Sequence, residues 1–325
     1  MAESFWLRYL NISIQGGQSL MFNGDGLRIR FDIKQHNNPT PSIAVIKITN
    51  QDTSAAKQLV QINSEYKTVT IDAGYPNNHG VIFSGNIVRS IYGRENPTDT
   101  LTTILCADGD QARSHAVVNK TLAPGSTPKD HVNAAIQALS QYGVSLGFVG
   151  SSIDLSTPSY PRSVTLFGMA HEILKRVARL KGAQVSYQQG KVHLVTPTDS
   201  NGSAVELNTN TGLIGMPTLQ IGGVMARSLI NPNIKVNGLI HIDQSLVQGL
   251  LPQVSPDGSA EPSGTEELAS GLSSAQMDQA GIAADGIYRV FKIDYSGDTR
   301  GNPWYMDIEA NIPGLTTSDT TAAQP

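Results

Sequence analysis

The sequence predicts a mainly β chain carrying an α+β insert in its middle. Three observations point there. Apolar and polar residues alternate with a period of two through the first hundred residues and again through the last third, as half-buried strands require. Between about 113 and 197 the spacing changes to the 3.6-residue period of helices. Only 15% of residues are charged and 6% aromatic, with 31 glycines, which suits strands and turns better than a helical bundle. At 325 residues the chain exceeds one ordinary core, so two or three domains are expected.

The elements follow in order. In "GLRIRFDIKQ", Leu27, Ile29, Phe31 and Ile33 oppose Arg28, Arg30, Asp32 and Lys34, giving a strand with one buried face. "PSIAVIKITN" is a second strand and "TSAAKQLV" one or two helical turns. "YKTVTIDAGY", "VIFSGNIVRSIY" and "DTLTTILCADGD" are three more strands, separated by the turn segments "PNNHG" and "GRENP". "TPKDHVNAAIQALSQYG" reads as a helix with Thr127 as N-cap, Pro128 at its first position and Asp130 in its first turn. Val132, Ala135, Ile136 and Leu139 form its apolar stripe, and Gly143 closes it. A second helix is expected through "VTLFGMAHEILKRVARLKG", with Leu166, Ala170, Ile173 and Val177 inward and Lys175, Arg176, Arg179 and Lys181 in solvent near the negative end of its dipole. "VSYQQGKVHLV" is a hairpin turning near Gly190.

The last third returns to strands. "ARSLINPNIKVNGLIHID" is strand broken by an Asn-Pro turn. Residues 248–285, rich in Ser, Gly, Pro and Ala, read as a long mobile loop that cannot offset its ordering entropy alone. "GIYRVFKIDYSGDTRGNPWYMDIEANI" is a hairpin in which Trp304, Met306, Ile308, Ala310 and Ile312 share one face and Tyr305, Asp307, Glu309 and Asn311 the other. Residues 315–325 read as a disordered tail. The division is therefore 1–112, 113–197, 198–314 with its insertion at 248–285, and the tail 315–325. The stretch 85–109 resembles the late hairpin, Gly85 standing near the place of Gly286 and Tyr92 near that of Tyr295. Identity is slight, and two unrelated hairpins would share as much.

Chemistry is sparse. The single cysteine, Cys106, excludes an intrachain disulfide and reads as a small buried hydrophobe rather than a nucleophile. His171-Glu172 opens a zincin-like phrase, but Lys175 stands where the second histidine belongs. The seven histidines form no close ligand pair. Asp108 and Asp110 lack the rest of a calcium loop. Asp307 and Glu309 share a strand face, as a glycosidase pair would and as any polar strand face does. No catalytic, cofactor-binding or metal residue is assigned, no cofactor is expected, and the chain reads as no enzyme. A net charge of −4 favours neither DNA nor an anionic membrane. The start holds no apolar block of signal-peptide length, and no later stretch reaches the ~18 apolar residues of a membrane span. The expectation is a chain made and soluble in a cytoplasm, without a membrane anchor.

Three segments carry a family resemblance. "VTIDAGYPNNHGVIFSGNI", with Ala73, Gly74, Tyr75, Ile82, Phe83, Gly85 and Ile87, is similar to a phrase of phage tail-tube-like domains. "NTNTGLIGMPTLQIGGVMARSLINPNIKVNGLIHID", with Gly212 to Pro217 and Leu229 to Pro232, resembles a segment of baseplate hub proteins. "GIYRVFKIDYSGDTRGNPW", with Gly-Asp-Thr at 297–299 and Trp304, is similar to their closing hairpin. The chain thus resembles, from about 25 to 312, the baseplate hubs of long-tailed, mostly contractile-tailed, bacteriophages, relatives of the first part of type VI secretion spike proteins. The stretch 248–285 is longer than the family pattern needs.

The resemblance implies two tail-tube-like β-barrel domains flanking the α+β region. It implies a homotrimeric, pseudo-sixfold ring in the virion tail baseplate, assembled in the host cytoplasm. Its partners would be the tail tube protein, the central spike protein, other baseplate proteins and the tape measure protein, with DNA passing on ejection without tight binding. Two other readings stay open: a tail tube or tail-completion protein, and a carbohydrate- or peptidoglycan-active tail enzyme.

Overall fold

The computed structural model describes residues 7–15, 20–24, 26–60, 65–220, 223–242 and 286–313. The expectations for 248–285 and 315–325 lie outside them. The first third forms β1 (Tyr9–Gln15), β2 (Leu20–Asn23), β3 (Arg28–His36), β4 (Ile43–Thr49), α1 (Thr53–Val60), β5 (Thr68–Tyr75), β6 (Asn78–Arg94) and β7 (Thr100–Ala107). Alternation places each strand as read. In β3, Ile29, Phe31 and Ile33 are buried while Arg28, Asp32 and Lys34 are exposed. The turn "PNNHG" is tighter than expected: only Pro76 and Asn77 lie outside strands, because Asn78 already pairs with Tyr75.

The middle forms α2 (Asp110–His115), β8 (Val117–Leu122), α3 (Pro128–Ser140), β9 (Ser145–Val149), β10 (Val164–Met169), α4 (Ala170–Leu180), β11 (Gln184–Gln188) and β12 (Lys191–Val195). The start of α3 is capped as its residues predict: the Asp130 carboxylate accepts the Thr127 backbone N–H (2.8 Å) and hydroxyl (3.0 Å). The second expected helix is shorter than read. Residues 164–169 are strand β10, antiparallel to β8, and α4 begins at Ala170. Gly168, with φ of 130°, breaks the helical path there, and Val164 and Thr165 favour extended backbone. Leu166 therefore enters the core from a strand, and the α4 stripe is Ala170, Ile173, Leu174, Val177 and Ala178. The hairpin of β11 and β12 turns through Gln189 and Gly190, both at positive φ, the geometry that matches strand twist.

The last third forms β13 (Val205–Leu207), β14 (Leu213–Gln220), β15 (Gly223–Leu229), β16 (Leu239–Ile242), β17 (Ile287–Asp298) and β18 (Trp304–Asn311). β17 runs to Asp298, further than its apolar residues suggest, because its second half pairs with β3. Among the described residues the first and last thirds share one 13-stranded sheet, ordered β14-β15-β18-β17-β3-β4-β7-β6-β5-β1-β2, with β13 and β16 branching from β17. All its pairings are antiparallel except β13 with β16. The hydrogen-bonded path is open, and no sheet closes on itself among these residues. One apolar cluster runs under this sheet, from Leu10 to Ala310. A second, from Ala112 to Leu194, fills the middle segment between α3, α4 and their strands.

Candidate assembly interface

The two hairpins that look alike in sequence match in register. In the first, a bulge follows Ile87, then six consecutive pairs run from Arg89↔Leu105 to Arg94↔Thr100. In the second, a bulge follows Val290, then six pairs run from Lys292↔Glu309 to Gly297↔Trp304. This register makes Tyr92 the counterpart of Tyr295, as the sequence suggests. It makes Tyr288 the counterpart of Gly85, a correction to the Gly286 pairing. Gly286 precedes the strand at a φ of 68°, whereas Gly85 lies inside β6 against the Ala107 carbonyl. The likeness extends outward. β7 pairs with β4 and then β3; β18 pairs with β15 and then β14. Two four-strand units, β6-β7-β4-β3 and β17-β18-β15-β14, thus have the same order.

The units meet within the chain where β17 pairs with β3, from Lys292↔His36 to Asp298↔Arg30. The Gly-Asp-Thr phrase locks this seam. The Asp298 carboxylate meets the Arg28 guanidinium at 2.8 Å. Burial pushes that carboxyl up, but Arg28 and the backbone N–H groups of Arg300 and Gly301 outweigh it and hold it below the ordinary carboxylate range. The Thr299 hydroxyl accepts the Ile29 N–H (3.0 Å) and donates to the Leu27 carbonyl (2.9 Å). Gly297 leaves room for the Phe31 ring, which packs edge-on against Trp304 at 5.5 Å. The Arg8 guanidinium lies over the Trp304 ring and donates to the Asp298 carbonyl.

The other phrases singled out in the sequence also join the first third to the last. The Asn78 side-chain amide donates to Asn231 Oδ1 (3.3 Å) and the Asn233 side-chain amide to Asn78 Oδ1 (3.2 Å), and Gly80 sits against Pro232. Ala73, Tyr75, Ile82, Phe83 and Ile87 are core. The Gly212 carbonyl accepts the Leu229 N–H (2.8 Å) and the Ser228 hydroxyl (3.1 Å), clamping the two ends of the β14–β15 hairpin.

The residues weighed for chemistry take structural positions. Burial pushes the Cys106 thiol up to about 12. His171 contacts the Arg113 carbonyl through Nδ1 (3.1 Å) and Glu172 through Nε2 (3.0 Å), and Glu172 also pairs with Lys175 (2.9 Å). Asp307 is held by Arg227 (2.6 Å) and Glu309 by Lys292 (2.7 Å). Asp108 is buried at the end of β7, where it accepts the Gly190 N–H at 3.0 Å. Burial pushes its carboxyl up to about 7. Asp110 opens α2. Among the described residues no group of three or more His, Cys, Asp or Glu side chains could hold a metal ion, and no helix is long and apolar enough to cross a membrane. What the sequence reading missed is a set of exposed apolar strand residues: Ile91 on β6, and Ile214 and Met216 on β14, at 50%, 39% and 66% exposure.

No curated protein sequence matches the chain. Solved structures share the fold. A tail protein from Neisseria meningitidis MC58 superposes with a TM-score of 0.56 at 8% identity, covering 97% of this chain and 99% of that one. The 43 kDa tail protein of prophage MuSo2 from Shewanella oneidensis gives 0.53 at 12% identity, covering 94% and 98%. The E. coli c3393 protein gives 0.54 at 12% identity, covering 94% and 77%; it is described as a component of the type VI secretion system with structural similarity to the T4 tail proteins gp27 and gp5. The family model described as Baseplate hub gp41 matches residues 11–250. With that match spanning most of its length, the chain belongs to the baseplate hub gp41 family of phage tail structural proteins.

Proposed function

We propose that three copies of this chain form a ring at the virion tail baseplate, joining the tail tube to the central spike. Each chain supplies two tail-tube-like barrel units, within 1–112 and 198–314, carried beside the α+β segment 113–197. A tube built of hexameric rings and a trimeric spike differ in symmetry. A trimer of single-unit chains would leave half the tube's bonding positions empty. Two units per chain give 2 × 3 = 6 tube-like faces on one side and threefold symmetry on the other. The observation that carries this reading is the pair of four-strand units with matched register, joined edge to edge within one chain.

A plain tube or tail-completion protein needs only one such unit, so the doubling favours a hub. The ring is assembled in the host cytoplasm and contacts the tube protein, the spike, other baseplate proteins and the tape measure protein. It works without catalysis or cofactor. The ring has to pass DNA without gripping it: the charge of −4 per chain, 3 × −4 = −12 per ring, offers phosphates no net attraction. Native mass spectrometry of the protein, alone and with its spike, tests the reading. A species of 3 × 34.7 = 104.1 kDa, alone or nucleated by the spike, supports it; a stable dimer, or a ring of six chains, refutes it. Incubation with peptidoglycan and host polysaccharide separates it from the enzyme reading, which requires turnover.

A further inference from the structure

Helix α4 borders a groove outside its core stripe. Ile173, Arg176, Val177 and Leu180 stand at i, i+3, i+4 and i+7, one face of the helix. With Tyr160, Val164 and Leu166 they line a groove of about 450 Å³. Tyr160 stacks flat on His131 of α3 (4.9 Å, 6°), and both rings line the groove. Leu180 is 53% exposed, and Arg176 and Arg179 are exposed beside it. Glu172, the one acid of α4, pairs with His171 and Lys175. Neither groove guanidinium has a carboxylate partner among the described residues. An apolar groove flanked by unpaired cations suits an apolar segment that carries carboxylates.

We infer that this groove docks residues 243–285 of the same chain, which lie outside the described residues. Charge singles them out. The segment 113–197 holds nine Lys and Arg against three Asp and Glu, a net +6. Residues 243–285 hold seven Asp and Glu and no Lys or Arg, a net −7. The rest of the chain carries −3 of the total −4, so the two segments are each other's strongest electrostatic complement. Apolar residues stand beside the acids, most densely where Leu268 and Leu272 follow Glu266 and Glu267. Reach permits the contact. The Ile242 N–H donates to the Gly286 carbonyl (2.9 Å), so the segment leaves and returns at one point. Arg289, three residues beyond, donates to the Thr196 carbonyl (3.0 Å) at the end of the α+β segment. Half of a loop this long spans up to ~70 Å, against a radius of gyration of ~20 Å for a compact chain of this length. The docking does not depend on how many chains form the ring.

Site-specific photo-cross-linking of the full chain tests this. Leu180→p-benzoylphenylalanine sets a probe at the exposed end of the groove. On irradiation it should link to a residue within 243–285, at the mass of one chain, as mapped by peptide mass spectrometry. The same probe at Phe167, 76% exposed on the opposite face of β10 from Leu166, should not capture that segment. Arg176→Glu with Arg179→Glu should abolish the Leu180 link, and Arg176→Lys with Arg179→Lys should keep it. Both arginines are exposed, so an unchanged urea midpoint in each variant shows that loss of the link is not loss of the fold. Four results overturn the inference: no link from Leu180, links only to residues outside 243–285, a link that survives charge reversal, or a product at twice the chain mass that joins the groove to the segment of another copy.

Discussion

Gly297→Ala puts the in-chain seam under direct strain. A Cβ built on Gly297 falls 2.3 Å from Phe31 Cζ and 2.4 Å from Cε1, far inside contact distance. The ring has nowhere to retreat: Trp304, which pairs with Gly297, stands edge-on to it at 5.5 Å, and Phe31 is buried on all sides. Overpacking of this kind costs ~1–3 kcal/mol. Phe31→Ala alone empties the site and costs ~3–5 kcal/mol. In the double variant the added methyl enters space the ring has left, so the cost of Gly297→Ala falls to about zero or reverses. The two changes should therefore be non-additive by ~1–3 kcal/mol, with the double variant more stable than the sum of the singles. Urea unfolding of the four proteins, read as midpoints at unchanged slope, measures this cycle. Additivity within ~0.5 kcal/mol would refute the steric account of why this seam needs glycine.

The remaining predictions concern single groups and the ring's surface. Asp108 is buried with its carboxyl raised from 3.8 to about 7, so the unfolded chain releases that proton first and stability falls as pH rises across this window, by about 1.4 kcal/mol per unit at most. Asp108→Asn keeps an acceptor for Gly190 and removes the fall, gaining on the native protein up to ~4 kcal/mol above pH 7; a difference that stays constant with pH contradicts this. His193, lowered to about 4 by burial, acts oppositely: its neutral form stabilises the fold above pH 6.5 and that contribution is lost as pH falls toward 4, so His193→Gln should flatten the acid limb of the denaturation profile. Thr127→Ala should cost ~1 kcal/mol through loss of the α3 cap, visible as a lower urea midpoint; an unchanged midpoint argues against the capping geometry. Duplex DNA should not be retained by the protein at physiological salt in a filter-binding assay, and retention would contradict the proposed passage of DNA.

Most of the strand plan is legible because period-two alternation is local. Ile29, Phe31 and Ile33, or Trp304, Met306 and Ile308, announce their buried face without reference to any partner. The α3 start is legible for the same reason: Thr127, Pro128 and Asp130 act within one turn. The β10–α4 boundary is not, since Leu166 fits either period and only pairing with β8 decides for strand. The seam is the least visible feature. Nothing within β3 or β17 says that they pair across more than 250 residues, and Gly297 is understood only once Phe31 lies over it. The candidate interface was hidden likewise, because an edge strand and a central strand share one alternation. Met216 looks like an ordinary strand residue until the sheet order places β14 last.

Cryo-electron microscopy of the tail tip tests the central claim most directly. The account predicts three chains around the axis presenting six tube-like units to the tail tube, two from each chain joined through the in-chain β3–β17 seam. A ring of six chains, each giving one unit to the tube, would contradict it.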